Sequence, residues 1–182
     1  SSALGARLRT ASSSGVTPAK PATVRLYFDA DVLGLAKLLC QERADFTYPG
    51  DPGARIKKRQ RPPCLITLPG TKDPDWIPRV AAEGWLIITR DRRIQEKLAE
   101  INAVRTCGAK MVNFASEDAG STWGQLEVFM SRWREIDALV DEPGPFIYIA
   151  SRTGKLRPIA LTRSAFPGGI PPWALRSFWR TA

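Results

Sequence analysis

Gly84-Trp85-Leu86-Ile87-Ile88-Thr89-Arg90-Asp91 is the stretch whose reading decides the fold. Trp85 to Ile88 is apolar at every position, which suits a strand buried on both faces of a parallel sheet, and it leads to a carboxylate, Asp91. The pattern recurs upstream. Val24-Arg25-Leu26-Tyr27-Phe28 reads as a first strand, followed at once by Asp29-Ala30-Asp31, and Asp73-Pro74-Asp75-Trp76-Ile77 opens a helix between the two. Asp29, Asp31, Asp73, Asp75 and Asp91 are therefore expected together beyond the carboxyl ends of the strands, where open α/β sheets bind ligands.

The rest of the chain extends this alternation. Leu35, Leu38 and Leu39 recur at helical spacing and predict a helix from about 32 to 43; Cys64 to Thr67 predicts a second short strand. Asp73 reads as an N-cap with Pro74 at the first helical position, although Pro78 would suit a helix capped by Asp75, and the helix ends at Gly84. A helix is expected from Arg92 to Asn102 on Ile94, Leu98 and Ile101, then a strand at Met111 to Phe114. Thr122-Trp123-Gly124-Gln125 has capping-box spacing, and Trp123, Leu126, Met130 and Trp133 form one stripe of the helix it opens, expected to pack in the core. Phe146 to Ala150 and Leu156 to Leu161 predict a hairpin across Thr153-Gly154, with Pro158 restricting its second strand to an edge.

Composition sets bounds. A chain of 182 residues with 43 % hydrophobic content suits one α/β domain with a real core. The expected division is a Ser/Ala/Thr-rich flexible leader over 1–22, a domain over 23–142, and a basic C-terminal hairpin and tail over 143–182. Cys40, Cys64 and Cys107 are odd in number without CxxC spacing, arguing against a disulfide framework or a zinc site. With no apolar run near the ~20 residues of a membrane span, the chain reads as soluble and cytoplasmic.

The formal charge of +9 comes from the ends: all 18 acids lie between Arg25 and Glu142, where 18 Lys and Arg balance them. An excess of that kind favours a polyanionic ligand, and aids solubility in any case. The cluster Arg55, Lys57, Lys58, Arg59 and Arg61 offers phosphate contacts, or is simply a solvated loop. Trp173, Phe178 and Trp179, interleaved with Arg176 and Arg180, fit docking onto the domain or onto a second subunit of a homodimer better than stacking on bases.

There is no histidine. Ser-His-Asp triads, HExxH zinc sites and imidazole acid/base pairs are thereby excluded. Any one of the aspartates alone reads as a helix cap. Gathered together, their mutual repulsion is relieved best by a hard divalent cation, which points to metal-dependent phosphoester chemistry.

These motifs, in this order and spacing, resemble the PIN-domain ribonucleases, especially PIN-like proteins related to VapC-type toxins. The likeness is carried by Phe28-Asp29-Ala30-Asp31, Asp73-Pro74-Asp75-Trp76-Ile77 and Gly84 to Asp91 with Arg92-Arg93-Ile94, over roughly residues 24–115. It implies a sheet of about five parallel strands flanked by helices, with the C-terminal hairpin as an extension, and an acidic pocket holding Mg2+ or Mn2+ for RNA cleavage. By resemblance Asp29 and Asp91 are the first and third acids, Asp31 stands where relatives have Asp or Asn, and Thr89 is the hydroxyl residue of the third motif. Either Asp73 or Asp75 supplies the second. Arg93 occupies the place of another acid in some relatives, with Asn113, Glu117 or Asp118 as substitutes. The metal ligands so implied are Asp29, Asp73, Asp75 and Asp91, the ends formed are 5′-phosphate and 3′-hydroxyl, and an antitoxin protein is the implied partner beside RNA.

Two other readings remain. Asp29-Ala30-Asp31 after an apolar strand also resembles the nucleophile motif of haloacid dehalogenase-like phosphatases, although Leu33 replaces the usual Thr or Val and no late Asp-Asp pair follows. The other is a catalytically silent PIN-like module that binds RNA or protein.

Overall fold

A computed structural model describes residues 18–91 and 98–161. The strands are β1 (Lys20–Pro21), β2 (Leu26–Phe28), β3 (Phe46–Thr47), β4 (Ala54–Ile56), β5 (Arg59–Arg61), β6 (Leu86–Thr89), β7 (Lys110–Asn113), β8 (Phe146–Ile149) and β9 (Arg157–Pro158). The helices are α1 (Leu33–Leu39), α2 (Asp73–Ala82), α3 (Leu98–Cys107) and α4 (Thr122–Leu139), with 3-10 turns at Ala30–Val32 and Glu117–Ala119. The main sheet runs β3-β2-β6-β7-β8-β9; its first five strands are parallel and β9 is antiparallel to β8. The expected five parallel strands and C-terminal hairpin are both present.

Alternation along the strands divides the core in two. Leu26, Phe28, Leu86, Ile88, Val112 and Phe114 face α1 and α4, while Tyr27, Ile87, Met111 and Ile147 face α2 and α3. On the first side Phe28, Phe46, Phe129 and Trp133 form an aromatic cluster with successive ring centroids 5.3–5.9 Å apart. Each of the three buried phenylalanines contributes about 1.5–3 kcal/mol, and with half-buried Trp133 they fix how α4 lies on the sheet.

The face that α4 buries is not the expected one. Val128, Phe129 and Ile136 are buried, Leu126 and Trp133 flank them, and Trp123 and Met130 are 69 % and 60 % exposed. Gly124 explains the rotation: a Cβ there would collide with the Asp118 carbonyl oxygen, so this side of the first turn lies against Glu117–Ala119 and its neighbour Trp123 faces outward. The cap is Ser121 rather than Thr122, its hydroxyl accepting from the Gly124 N–H at 3.1 Å.

Other boundaries shift for local reasons. Cys64 to Thr67 is not a strand; Pro62-Pro63 and Pro69 flank it, and it makes only isolated bonds, Cys64 N–H to Asp51 O and Gly50 N–H to Ile66 O. Phe46–Thr47 takes the edge position instead. The last residues of the expected leader are structured, since Lys20–Pro21 pairs with β5. The third helix runs over Leu98–Cys107, past the expected end at Asn102; the Arg92-Arg93-Ile94 segment and the aromatic tail, with Trp173, Phe178 and Trp179, lie outside the described residues. No described helix is long and apolar enough to cross a membrane.

A second, three-stranded sheet, β1-β5-β4, is held to the domain by one buried ion pair. Arg61 Nε lies 2.7 Å from Asp51 Oδ2, both side chains almost inaccessible, and Arg61 Nη1 donates to the carbonyls of Cys40 and Arg43 at 2.9 Å each. Asp51 also accepts from Thr47 Oγ1 and the Gly53 N–H. Removing one partner strands the other charge away from water. Asp51→Ala should cost about 3–5 kcal/mol in urea unfolding, and the double change with Arg61→Met should recover part of it; equal stability of Asp51→Ala and the parent would show that the pair does not fasten the hairpin.

Candidate functional site

The carboxyl ends of β2 and β6 lie side by side because their register pairs Phe28 with Ile88. Asp29 continues that ladder, its N–H donating to the Ile88 carbonyl at 2.8 Å, and its side chain caps the next turn by accepting the Ala30 N–H at 2.6 Å. Asp31, within that turn, folds back over β6 and accepts from the Arg90 N–H at 2.8 Å. Between the two stands the buried Thr89. Its Oγ1 is 3.1 Å from Asp29 Oδ2 and 3.2 Å from Asp31 Oδ2. One hydroxyl proton can serve only one of these oxygens at a time; Asp31 Oδ2 also has the Arg90 N–H, so Asp29 Oδ2 is the one left short of a donor when Thr89 turns to Asp31.

Helix α2 enters from the opposite side of the sheet. Lys72 occupies the N-cap position without a side-chain bond, so neither Asp73 nor Asp75 caps the helix as expected; Asp73 and Pro74 are its first two residues. Two carboxylates in that first turn are favoured by the helix dipole. Asp73 shares a helix face with Trp76 and Ile77, three and four residues on, and so turns toward the sheet. Its Oδ1 accepts the indole N–H of buried Trp76 at 2.9 Å, and Trp76 packs on Tyr27 with centroids 5.1 Å apart. Asp75 is off that face and exposed.

The result is a cleft of about 20 Å³ lined by Asp29, Asp73, Trp76, Ile77, Thr89, Asp91 and Met111. That is room for roughly one water-sized occupant. Asp29, Asp73, Asp91 and Thr89 thus converge, Asp31 stands behind them on Thr89, and Asp75 lies outside. As they stand, no three acidic or cysteine side chains among the described residues form a group able to hold a metal ion. The donors are nevertheless all hard oxygens, the type Mg2+ or Mn2+ takes, and the shared Thr89 proton leaves an oxygen open to a cation.

Burial first, then the neighbouring Asp31 charge, pushes Asp29 up to about 7 against the opposing bonds from Ala30 and Thr89. Burial also raises Asp31, opposed by the Arg90 N–H and Thr89. Among the described residues the causes acting on these two carboxyl groups include a single cation, Arg90, beside Asp31.

Two supporting residues emerge only in three dimensions. Trp76 orients Asp73, with the Asp-x-x-Trp spacing as its sequence signal. Asn113, paired in register with Thr89, donates from Nδ2 to the Asp91 main-chain oxygen at 2.6 Å; it holds the third motif's backbone rather than replacing an acid. Of the other substitutes, Asp118 is engaged by Arg152, at 3.3 Å from its N–H and 3.8 Å from Nη2, and Glu117 is exposed in the 117–119 turn.

The basic cluster does not join the cleft. Helix α1 runs from the carboxyl to the amino end of the sheet, and Arg61 is bonded to Cys40 and Arg43 just past its far end. Arg61 is also buried in its pair with Asp51, leaving Arg55, Lys57, Lys58 and Arg59 as the exposed cations.

The raised Asp29 has a definite consequence for stability. Its folded-state affinity for a proton exceeds that of an ordinary carboxyl group near 4, so between about pH 4 and 7 the folded protein binds more protons than the unfolded. Metal-free protein should therefore lose stability from this group as pH rises through that window, by up to roughly 4 kcal/mol. Urea unfolding at pH 5 and pH 7.5 should show a smaller fall for Asp29→Asn than for the parent; identical falls would mean that Asp29 titrates normally.

Residues 54–116 match a family model described as a PIN like domain. No curated protein and no solved structure matches the chain. The matched stretch contains Asp73, Thr89, Asp91 and Asn113, and Asp29 and Asp31 reach the same site from β2, ahead of it. That match lies on an α/β sheet flanked by helices on both faces, an architecture consistent with a PIN-like fold.

Proposed function

We propose that the protein is a metal-dependent endoribonuclease, the toxin of a toxin-antitoxin pair. The observation that carries the reading is the meeting of Asp29, Asp73 and Asp91 around Thr89 in one cleft, with Asp29 buried beside the Asp31 charge. PIN domains are generally nucleases, and the motifs resemble those of VapC-type toxins.

Asp29, Asp73 and Asp91 would hold Mg2+ or Mn2+. When bound, the cation supplies an activated water and neutralises charge developing on the scissile phosphate and its leaving 3′ oxygen. The chain's own residues set up this site. Thr89 and the Ala30 N–H orient Asp29, Trp76 orients Asp73, and Asn113 fixes the backbone of Asp91. Asp31 fastens Arg90 and Thr89 rather than reaching the cleft. An antitoxin protein is the expected partner, and RNA the expected substrate.

The absence of a ready three-acid group among the described residues favours the second reading, a silent module that binds RNA without cutting it. One experiment separates them. Purified parent should cleave single-stranded RNA in Mn2+, Asp73→Asn and Asp91→Asn should each lose on the order of 100-fold or more, and Asp75→Asn should stay near the parent. RNA binding without cleavage by any of them would establish the silent module.

The same ligands should be visible without turnover. Millimolar Mn2+ should raise the unfolding temperature of the parent by mass action and leave that of Asp91→Asn almost unchanged. A parent unaffected by Mn2+ would remove the cation from the proposal.

A further inference from the structure

The amino end of the sheet, opposite the acidic cleft, carries an open groove of about 600 Å³ between the tip of the β4–β5 hairpin and the residues entering β2 and β3. That is within the usual size of a ligand site. Arg43, Lys57, Lys58 and Arg59 line it against only two acids, Glu42 and Asp45. Asp45 is committed to Arg43, with bonds of 2.9 and 2.8 Å, and Glu42 meets Lys57 only at 3.8 Å in open solvent. No carboxylate among the described residues pairs with Lys58 or Arg59, so the groove is left with a surplus of positive charge.

The hairpin is shaped to keep its cations at the tip. Lys57 has φ 53°, a left-handed conformation that Gly or Asn adopts at lower cost. A strained residue persists where the surrounding structure maintains it, and such residues cluster at functional positions. The groove walls add small residues and aliphatic stems but no aromatic anchor, which suits a flexible polyanion better than a protein partner.

We propose that this groove is a second RNA subsite, so that the preferred substrate is a single strand long enough to reach from the acidic cleft to the opposite end of the sheet. This rests on the ribonuclease reading. Asp45, at the groove, is level with Arg25, because Phe46 pairs with Leu26. Asp29 follows Arg25 by four residues, about 13 Å along a strand. At ~3.4 Å per stacked nucleotide, a strand touching both needs on the order of four nucleotides or more. The outer edge of the sheet supplies a route: residues 62–72 run from the hairpin to the start of α2 past β3, with exposed Lys72 at the cleft end.

The test compares trinucleotide and dodecanucleotide single-stranded RNA on the full chain. Lys58→Ala with Arg59→Ala should weaken dodecamer binding in metal-free buffer about 10-fold or more and flatten its salt slope by about 1.4, two phosphate contacts of a single strand. Cleavage of the trimer in Mn2+ should be unchanged. Because Arg59 Nη1 also donates to the Pro21 carbonyl at 3.4 Å, a second variant, Lys57→Gly with Lys58→Ala, leaves that bond in place; it should melt no lower than the parent and weaken dodecamer binding several-fold. An unchanged dodecamer, an equal effect on both lengths, or an acidic peptide that binds the groove while RNA does not would overturn the subsite. Groove-dependent dodecamer binding by a parent that cleaves nothing would instead overturn the ribonuclease reading and leave the subsite intact.

Discussion

The parallel pairing of β2 with β6 is the constraint on which the site depends. Three residue pairs, Leu26 with Leu86, Tyr27 with Ile87 and Phe28 with Ile88, set the register, and the Asp29 N–H closes it on the Ile88 carbonyl. A slip of one residue would turn every side chain of β2 to the opposite face, sending Phe28 out of its aromatic cluster and Asp29 away from Thr89. The same alternation that seals both cores therefore aims the acids. Position at the site is decided in the apolar interior.

That interior also supports an unfavourable arrangement. Neighbouring carboxylates, one of them substantially desolvated, oppose folding when no counter-charge is present, and the β2 and β6 residues that carry Asp29 and Thr89 are among the most buried in the molecule. A rigid scaffold keeps them from relaxing apart into water. The far end of the sheet is built on the opposite principle. There the exposed cations Arg55, Lys57, Lys58 and Arg59 sit on a short hairpin whose base is fastened by the inaccessible guanidinium of Arg61, so one buried arginine underlies four solvent-facing basic residues.

Much of this was legible in the chain because strand burial and strand-end carboxylates leave local signatures. Val24 to Phe28, Trp85 to Ile88 and Met111 to Phe114 each mark a strand to within two residues, and Asp29, Asp73 and Asp91 meet as their shared edge implies. What failed was decided by tertiary contact. Trp123 and Met130 form a helical stripe of the right period, but the contact of Gly124 with the Asp118 carbonyl rotates that stripe outward. Asp75 is chemically the equal of Asp73, and only the angular step along α2 separates them. Arg61 reads as one more basic residue until Asp51, ten positions away, is seen to claim it.

The edges of the main sheet have a consequence for the company the molecule keeps. On one side the two residues of β3 are flanked by the 48–67 segment, with Gly50 bonded to Ile66 and Cys64 to Asp51. On the other, β9 is two residues long, and one of them is Pro158, which has no N–H to offer a further strand. Among the described residues the folded main sheet thus presents little backbone template for edge-to-edge growth.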